Sequence, residues 1–157
     1  MTILSNNFLS STNFSLSLIT PDGTSLNCAL QTANHPSVSA KSGIHSTPRR
    51  ELPIPGQKLE YEPLKVTLIL EESMASYIAI YDWLKQCVEE DDYKAFQDKT
   101  IDAKLLVRTQ KGNLNKTITY VRCFPTELGG LEFKTTDEES TYLTSDATFE
   151  YAYFEIS

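Results

Sequence analysis

The sequence lacks the features that mark several protein classes. Its 157 residues include three cysteines, Cys28, Cys87 and Cys123, too few for a disulfide-dense fold and too far apart for a C-x-x-C redox pair. No apolar run approaches the roughly 18 residues that a membrane-spanning helix requires. Residues 1–5 lack the basic start and apolar core of a secretory signal. These absences predict free thiols, synthesis in the cytoplasm and no membrane partner.

Positive charge is also scarce. Lys and Arg number 14 against 21 Asp and Glu, for a net charge of −7, which disfavours binding of nucleic acid through its phosphates. Residues 1–40 carry one charged side chain, Asp22, whereas residues 41–65 are net basic and residues 89–92 and 137–139 are acidic clusters. Such an asymmetry can serve self-association, in which a basic patch on one copy meets an acidic patch on another. The alternative is that these charges belong to solvated loops and a helix end.

Motifs of the common enzyme chemistries are missing too. The sequence has no Gly-rich phosphate loop, no H-E-x-x-H and no G-x-S-x-G. His35 and His45 have no cysteine beside them, and Cys28 and Cys123 fall in apparent strands, where thiols are usually buried and inert. The sequence therefore predicts no catalytic residue, no metal site and no cofactor. A small β-barrel ligand-binding or enzymatic domain that uses His35, His45 and a carboxylate is an alternative.

Most of the chain carries strand patterns. Apolar residues alternate on both sides of the turn Pro21-Asp22-Gly23, which predicts a hairpin of residues 14–18 and 26–30. A second hairpin is predicted for residues 101–109 and 114–124, followed by a break at 125–130. Further strands are predicted at residues 65–70, 131–134 and 147–156. The first of these is nearly continuously apolar, as in a strand covered on both faces.

Other segments predict a helix, a loop and an arm. Residues 73–88 contain no Gly or Pro, and their apolar residues recur at helical spacing, at Tyr77, Ile80, Tyr81, Leu84 and Val88. Residues 32–47 show no period and predict an exposed loop, and the Pro-rich stretch 49–54 predicts an edge strand or arm. The sum is a mainly β, antiparallel domain over residues 13–157 with one helix, preceded by an N-terminal arm at residues 1–12.

Three segments in order resemble the major tail tube protein of contractile-tailed phages of the T-even kind. They are L-N-C-A-L at residues 26–30, the stretch from L-P-I-P-G-Q to Y-D-W-L at residues 52–84, and R-C-F-P-T-E-L-G-G-L at residues 122–131 followed by the aromatic strand at 149–155. The resemblance implies an antiparallel β-sandwich or barrel with one flanking α-helix, a fold shared with the ring protein of type VI secretion.

The resemblance also implies a function. A protein of this kind is a structural, non-enzymatic late protein of the virion tail, synthesised in the host cytoplasm. Its hexameric rings stack into a hollow tube that conducts double-stranded DNA during genome ejection without binding it specifically. The expected partners are further copies of the chain and the sheath, baseplate and neck proteins. A baseplate tube initiator and a tube terminator share the fold and are alternatives.

The resemblance places contacts on two segments. Contacts between subunits or rings are expected at Arg49, Arg50, Glu51, Leu52, Pro53 and Ile54. Contacts with the sheath are expected at Glu89, Glu90, Asp91 and Asp92.

Overall fold

The computed structural model describes residues 9, 11–21, 23, 25–89, 99–135 and 142–157. They form one helix and twelve strands, which in chain order are β1 Phe14–Ile19, β2 Ser25–Cys28, β3 Leu30–Asn34, β4 Val38–Ala40, β5 Gly43–Ser46, β6 Glu51–Ile54, β7 Leu59–Tyr61, β8 Leu64–Ile69, α1 Ala75–Glu89, β9 Ile101–Arg108, β10 Leu114–Leu128, β11 Thr144–Glu150 and β12 Tyr153–Ile156.

Eight strands form an antiparallel barrel. Their hydrogen-bonded order is β2-β1-β9-β10-β11-β8-β3, with β12 beside β10. Only Ala29 separates β2 from β3, and its carbonyl accepts a hydrogen bond from the Ile69 N–H at 2.9 Å. This bent strand thus pairs with β1 at one end and with β8 at the other, which closes the sheet. The predicted fold class and both predicted hairpins are confirmed.

The barrel interior is filled by alternate residues of its strands. Leu64, Val66 and Leu68 of β8 are buried while Lys65 between them is exposed, so the prediction that this strand is covered on both faces is wrong. A strand of an antiparallel barrel needs cover on its inner face only. The other large, fully buried side chains include Leu16, Leu18, Tyr120 and Phe149.

Strand β10 is longer than the sequence predicts, because the expected break at residues 125–130 begins only after Leu128. The register shifts at Arg122, which has a positive φ of 55° and donates its N–H to Asp102 Oδ1 at 3.2 Å. A further register shift follows Pro125, where a missing N–H is tolerated. One half of β10 therefore pairs with β12 and the other with β11.

The C-terminal part differs from prediction in two details. The expected strand at 147–156 is divided at residues 151 and 152 into β11 and β12, which follow the bend of β10. Residues 131–134 form no strand. The last residue is fastened to the barrel, since the N–H and carbonyl of Ser157 both bond to Thr117.

Helix α1 lies against the barrel through a face that overlaps the predicted apolar stripe only in part, at Ile80. Ile80 and Trp83 are buried, and the Trp83 indole N–H donates to the Lys99 carbonyl at 2.7 Å. Tyr81 and Val88 of the predicted apolar stripe are exposed instead. Trp83 is the largest apolar side chain of the helix, and it determines the buried face because it buries the most area and its indole N–H forms a hydrogen bond.

Residues 38–61 project from the barrel as a two-stranded ribbon, which we call the arm. Its inner half is the pair β4 and β7, and its outer half is the pair β5 and β6. Residues 32–47 are largely exposed, as predicted, but the prediction of a loop is wrong, because they include the end of β3 and strands β4 and β5. None of residues 38–61 is buried, so their strands show no alternation of apolar and polar residues.

Candidate inter-subunit surface

The arm is held together by backbone pairing with little packing. Gly43 lies opposite Ile54, and Ser46 lies opposite Glu51. Between its two halves the strands approach so closely that a Cβ atom at Gly56 would overlap the carbonyl oxygen of Lys41. Glycine is required there by this close approach. An ion pair joins Lys41 Nζ to Glu60 Oε1 at 2.9 Å within the arm, but it is solvent-exposed and so adds little stability.

The tip of the arm presents two arginines. The turn is closed by the Thr47 N–H, which donates to the Arg50 carbonyl at 3.0 Å, and by the Arg50 N–H, which donates to Thr47 Oγ1 at 3.2 Å. Arg49 and Arg50 are both exposed. Neither guanidinium forms an ion pair with any residue that the structure describes. The predicted contact residues are thus brought together, the arginines at the tip and Glu51–Ile54 along strand β6.

The surface of the arm differs from the rest of the chain in charge and polarity. Residues 38–61 contain four basic and two acidic side chains, a net charge of +2, which leaves −9 for the remainder. Four aliphatic side chains of the arm are 40–67% exposed, and they are Val38, Ile44, Ile54 and Leu59. An isolated two-stranded ribbon is marginally stable in water. An exposed ribbon with apolar and cationic side chains is suited to contact with another protein.

An aromatic cluster attaches the arm to the barrel. At the start of the arm, His35 Nδ1 lies 2.8 Å from the Tyr120 hydroxyl, and its ring centroid lies 4.6 Å from that of Phe154. At the end of the arm, the Tyr61 ring packs edge-on against Tyr151 and Phe154 at 5.9 and 5.5 Å. The arm is therefore anchored at both of its ends.

Burial sets the protonation states in this cluster. It raises the pKa of the Tyr120 hydroxyl and lowers the pKa of the His35 imidazole. At neutral pH both groups are therefore uncharged, and the imidazole tautomer sets which of the two donates the hydrogen bond between the Tyr120 hydroxyl and His35 Nδ1.

The sequence predicted neither this cluster nor strands β4, β5 and β7. His35 and Tyr120 are 85 residues apart, and no local pattern links them. The only signal was the concentration of aromatic residues at the C-terminus, which indicated a packed end without identifying its partner.

The predicted sheath-contact cluster lies largely beyond the described residues. Glu89 is the last residue of α1, whereas Glu90, Asp91 and Asp92 lie outside the described ranges. Of the predicted N-terminal arm, only residues 9, 11 and 12 are described, and all three are exposed. Both assignments stay predictions.

Histidine and cysteine form no shared site in the described part of the chain. His35 lies at the root of the arm, His45 lies on exposed strand β5, and no group of three or more metal-ligating side chains occurs among the described residues. Cys28 and Cys123 are buried, as predicted, and burial raises the pKa of the Cys28 thiol to about 11. None of the described helices is long and apolar enough to cross a membrane.

Comparison of the sequence with known proteins finds similarity to a phage tail protein. No protein-family model matches the chain. The tail tube terminator protein of Enterobacteria phage T4 is 26% identical over 106 residues, which cover 65% of this chain. The match spans 60% of the length of that relative.

Comparison of the fold covers nearly the whole chain. A chain of the anti-feeding prophage baseplate superimposes with a TM-score of 0.75 at 11% identity, covering 98% of this chain and 97% of that one. A chain of the sheath/tube terminator of the extracellular contractile injection system PVC, in its extended state, has a TM-score of 0.73 at 12% identity and covers 99% of both chains. Hcp1 from Flavobacterium johnsoniae has a TM-score of 0.54 at 10% identity, covering 95% of this chain and 94% of that one.

These comparisons confirm the predicted tail tube fold and its similarity to Hcp proteins. By their names, the proteins that resemble the chain are a phage tail tube terminator, a chain of a prophage baseplate and a chain of the sheath/tube terminator of an injection system. The fold alone does not assign the chain a place in such an assembly, since the same fold occurs in a baseplate and in a terminator.

Proposed function

We propose that the chain is a subunit of the ring that ends the tube of a contractile phage tail, that is, a tube terminator. The observation that carries the proposal is the 26% identity to the tail tube terminator of phage T4. The fold supports a place in the tube but does not distinguish its ends from its middle, so sequence similarity carries more weight for this choice.

Assembly of such a ring would use two kinds of surface. The barrel forms the wall, and both halves of its bent strand have a free edge among the described residues, because β2 pairs only with β1 and β3 only with β8. Unpaired edges favour association with another chain. The arm supplies the second surface, since it extends away from the barrel with exposed aliphatic and cationic side chains.

The charge of the chain suits a tube that conducts DNA. In a ring of six, as in the tail tube proteins that the sequence resembles, a net charge of −7 per chain would total −42. An acidic wall repels phosphates and lets double-stranded DNA pass without specific binding. The ring would occupy the virion tail after synthesis in the host cytoplasm, with sheath, baseplate and neck proteins as its other partners.

Self-assembly provides the test. The purified chain should form a single closed ring of six by native mass spectrometry, and electron microscopy should show no extended tubes. When it is mixed with the tail tube protein of the same phage, a small molar fraction should halt tube growth. A chain that stays monomeric at millimolar concentration, with and without tube protein, would contradict the proposal.

A main-tube subunit is the second candidate, favoured by the resemblance of residues 52–84 and 122–131 to the major tail tube protein. It predicts the opposite result, in which the isolated chain polymerises into long tubes. A baseplate initiator, which the fold also allows, would nucleate growth of the tube protein instead of halting it.

A further inference from the structure

A cleft lies where the arm joins the barrel. It has a volume of about 250 Å³ and is lined by Tyr61, Glu62, Pro63, Glu150 and Tyr151. This is below the range of about 300–1,000 Å³ that is usual for drug-sized ligands. The size of the cleft favours a single side chain as its occupant.

The lining of the cleft is suited to a cation. Two acidic residues, Glu62 and Glu150, line it together with two aromatic residues, Tyr61 and Tyr151. Neither carboxylate forms an ion pair with a residue in the described ranges. A guanidinium can bond to a carboxylate through two N–H groups and can stack on an aromatic ring, which a compact ammonium does less well.

The cleft is held in shape before any ligand arrives. The Tyr151 hydroxyl donates to the Glu62 carbonyl at 2.8 Å, which joins the end of the arm to the end of β11. Burial, with a contribution from the Tyr61 hydroxyl, raises the pKa of Tyr151 to about 12, so this hydroxyl stays protonated and keeps donating. A preformed site loses less conformational entropy when it binds.

The chain itself carries the matching cations. Arg49 and Arg50 are exposed side by side at the tip of the arm. They cannot reach the cleft of their own chain while the ribbon is extended, because the eleven residue steps from Arg50 to Tyr61 span up to about 36 Å at about 3.3 Å per residue. The tip of one copy can, however, reach the root of another.

We propose that an arginine at the arm tip, Arg49 or Arg50, inserts into the cleft of Tyr61, Glu62, Glu150 and Tyr151 on a second copy of the chain. The contact is heterologous, tip to root, which is the kind of contact from which a closed ring is built when its rotation closes. The inference rests on the proposed function, because it assumes that copies of the chain associate.

Site-specific crosslinking tests the contact directly. A photoreactive amino acid in place of Arg50 should capture, in the assembled full-length protein, a peptide that contains residues 61–63 or 150–151 of another copy. The same substitution at Lys111, an exposed residue in the β9–β10 turn, should not give this product. Capture elsewhere by the position 50 probe, in a protein that assembles, would overturn the inference and leave the proposed function standing.

Complementary variants provide a second test. The double variant R49E/R50E leaves the cleft unchanged and reverses the charge of the tip. The variant E150R leaves the tip unchanged and reverses the charge on one side of the cleft. Each should weaken self-association at least tenfold, whereas Lys111→Glu and Glu127→Arg, which lie outside both surfaces, should not. An equimolar mixture of the first two retains one intact tip and one intact cleft, and should associate at least tenfold more tightly than either variant alone.

The outcomes separate the two proposals. A mixture that associates no better than its components shows that tip and cleft do not meet, and so overturns the inference even if both variants are defective. A wild-type chain that never assembles, alone or with tube protein, contradicts the proposed function, and the inference falls with it.

Discussion

The barrel and the arm are stabilised by different interactions. Strands β1, β2, β8, β9, β10 and β11 each contribute buried side chains to a common core, whereas no residue between 38 and 61 is buried. The barrel is stabilised by apolar burial, and the arm by backbone hydrogen bonds, one close approach at Gly56 and the aromatic anchor at its root. We therefore expect variants of the barrel to alter folding, and variants of the arm to alter assembly while folding is preserved.

The largest effect should come from the barrel core. Phe149 is fully buried in β11 beside Trp83, at 6.0 Å between ring centroids. Phe149→Ala should lower the free energy of unfolding by about 3–5 kcal/mol, because it removes buried apolar area and leaves a cavity. Urea denaturation followed by circular dichroism measures it. Phe133→Ala, at a residue 73% exposed, is the control, and equal losses in the two variants would contradict the assignment of the core.

A change at the narrowest point of the arm should affect assembly and spare the barrel. In Gly56→Ala the new Cβ overlaps the Lys41 carbonyl, so the strands must move apart and the tip shifts. We expect self-association to weaken at least tenfold, by sedimentation velocity, with an unfolding midpoint close to that of the wild type. Gly130→Ala is the matched control, since no atom lies within 4 Å of its Cβ. A large fall in the unfolding midpoint would show that the arm and barrel are not separable.

A smaller effect is expected where the two regions join. Tyr151→Phe removes the hydrogen bond to the Glu62 carbonyl and keeps the ring, which should cost about 0.5–1.5 kcal/mol. Amide hydrogen exchange should accelerate in residues 59–63 and remain slow in β8 and β9. Tyr142→Phe, at an exposed ring, provides the comparison. If exchange in residues 59–63 stays unchanged, the hydroxyl does not anchor the arm.

The smallest effect concerns pH. Burial against Tyr120 and Phe154 lowers the pKa of His35 below the value of about 6.5 that it has in the unfolded chain. The unfolded chain therefore binds more protons below that pH, so the His35 contribution is fully present above about pH 6.5 and is lost as the pH falls. His35→Gln should flatten the pH dependence of stability between about pH 6.5 and 5. His45→Gln is the control for removing a ring, and identical slopes in His35→Gln and the wild type would contradict the prediction.

The sequence predicted the barrel better than the arm for a physical reason. Burial of one strand face imposes alternation, so β1, β2, β9 and most of β10 could be found from the period of their apolar residues. Strands β4, β5 and β7 bury neither face and carry no such period. The Pro-rich segment with β6 was identified as an edge strand or arm, because proline excludes a central strand. The partner strand that completes the ribbon was not identified.

Candidate contact residues were predictable only in part. Proline and charge in the sequence predicted that Arg49 and Arg50 lie in an exposed arm. The cleft was not predictable, because Glu62 and Glu150 are 88 residues apart in sequence. The buried face of α1 was also not predictable from period alone, since apolar residues occur around most of its circumference.

By itself, the sequence determined the positions of most barrel strands and of the helix, the surplus of negative charge and the basic character of the arm, because each depends on residue type or local period. Only the tertiary structure decided how the bent strand β2–β3 closes the barrel, that Trp83 turns inward, and that Tyr61, Tyr120, Tyr151 and Phe154 meet at the root of the arm. These features join residues far apart in the chain, and packing selects them only when the whole barrel has formed.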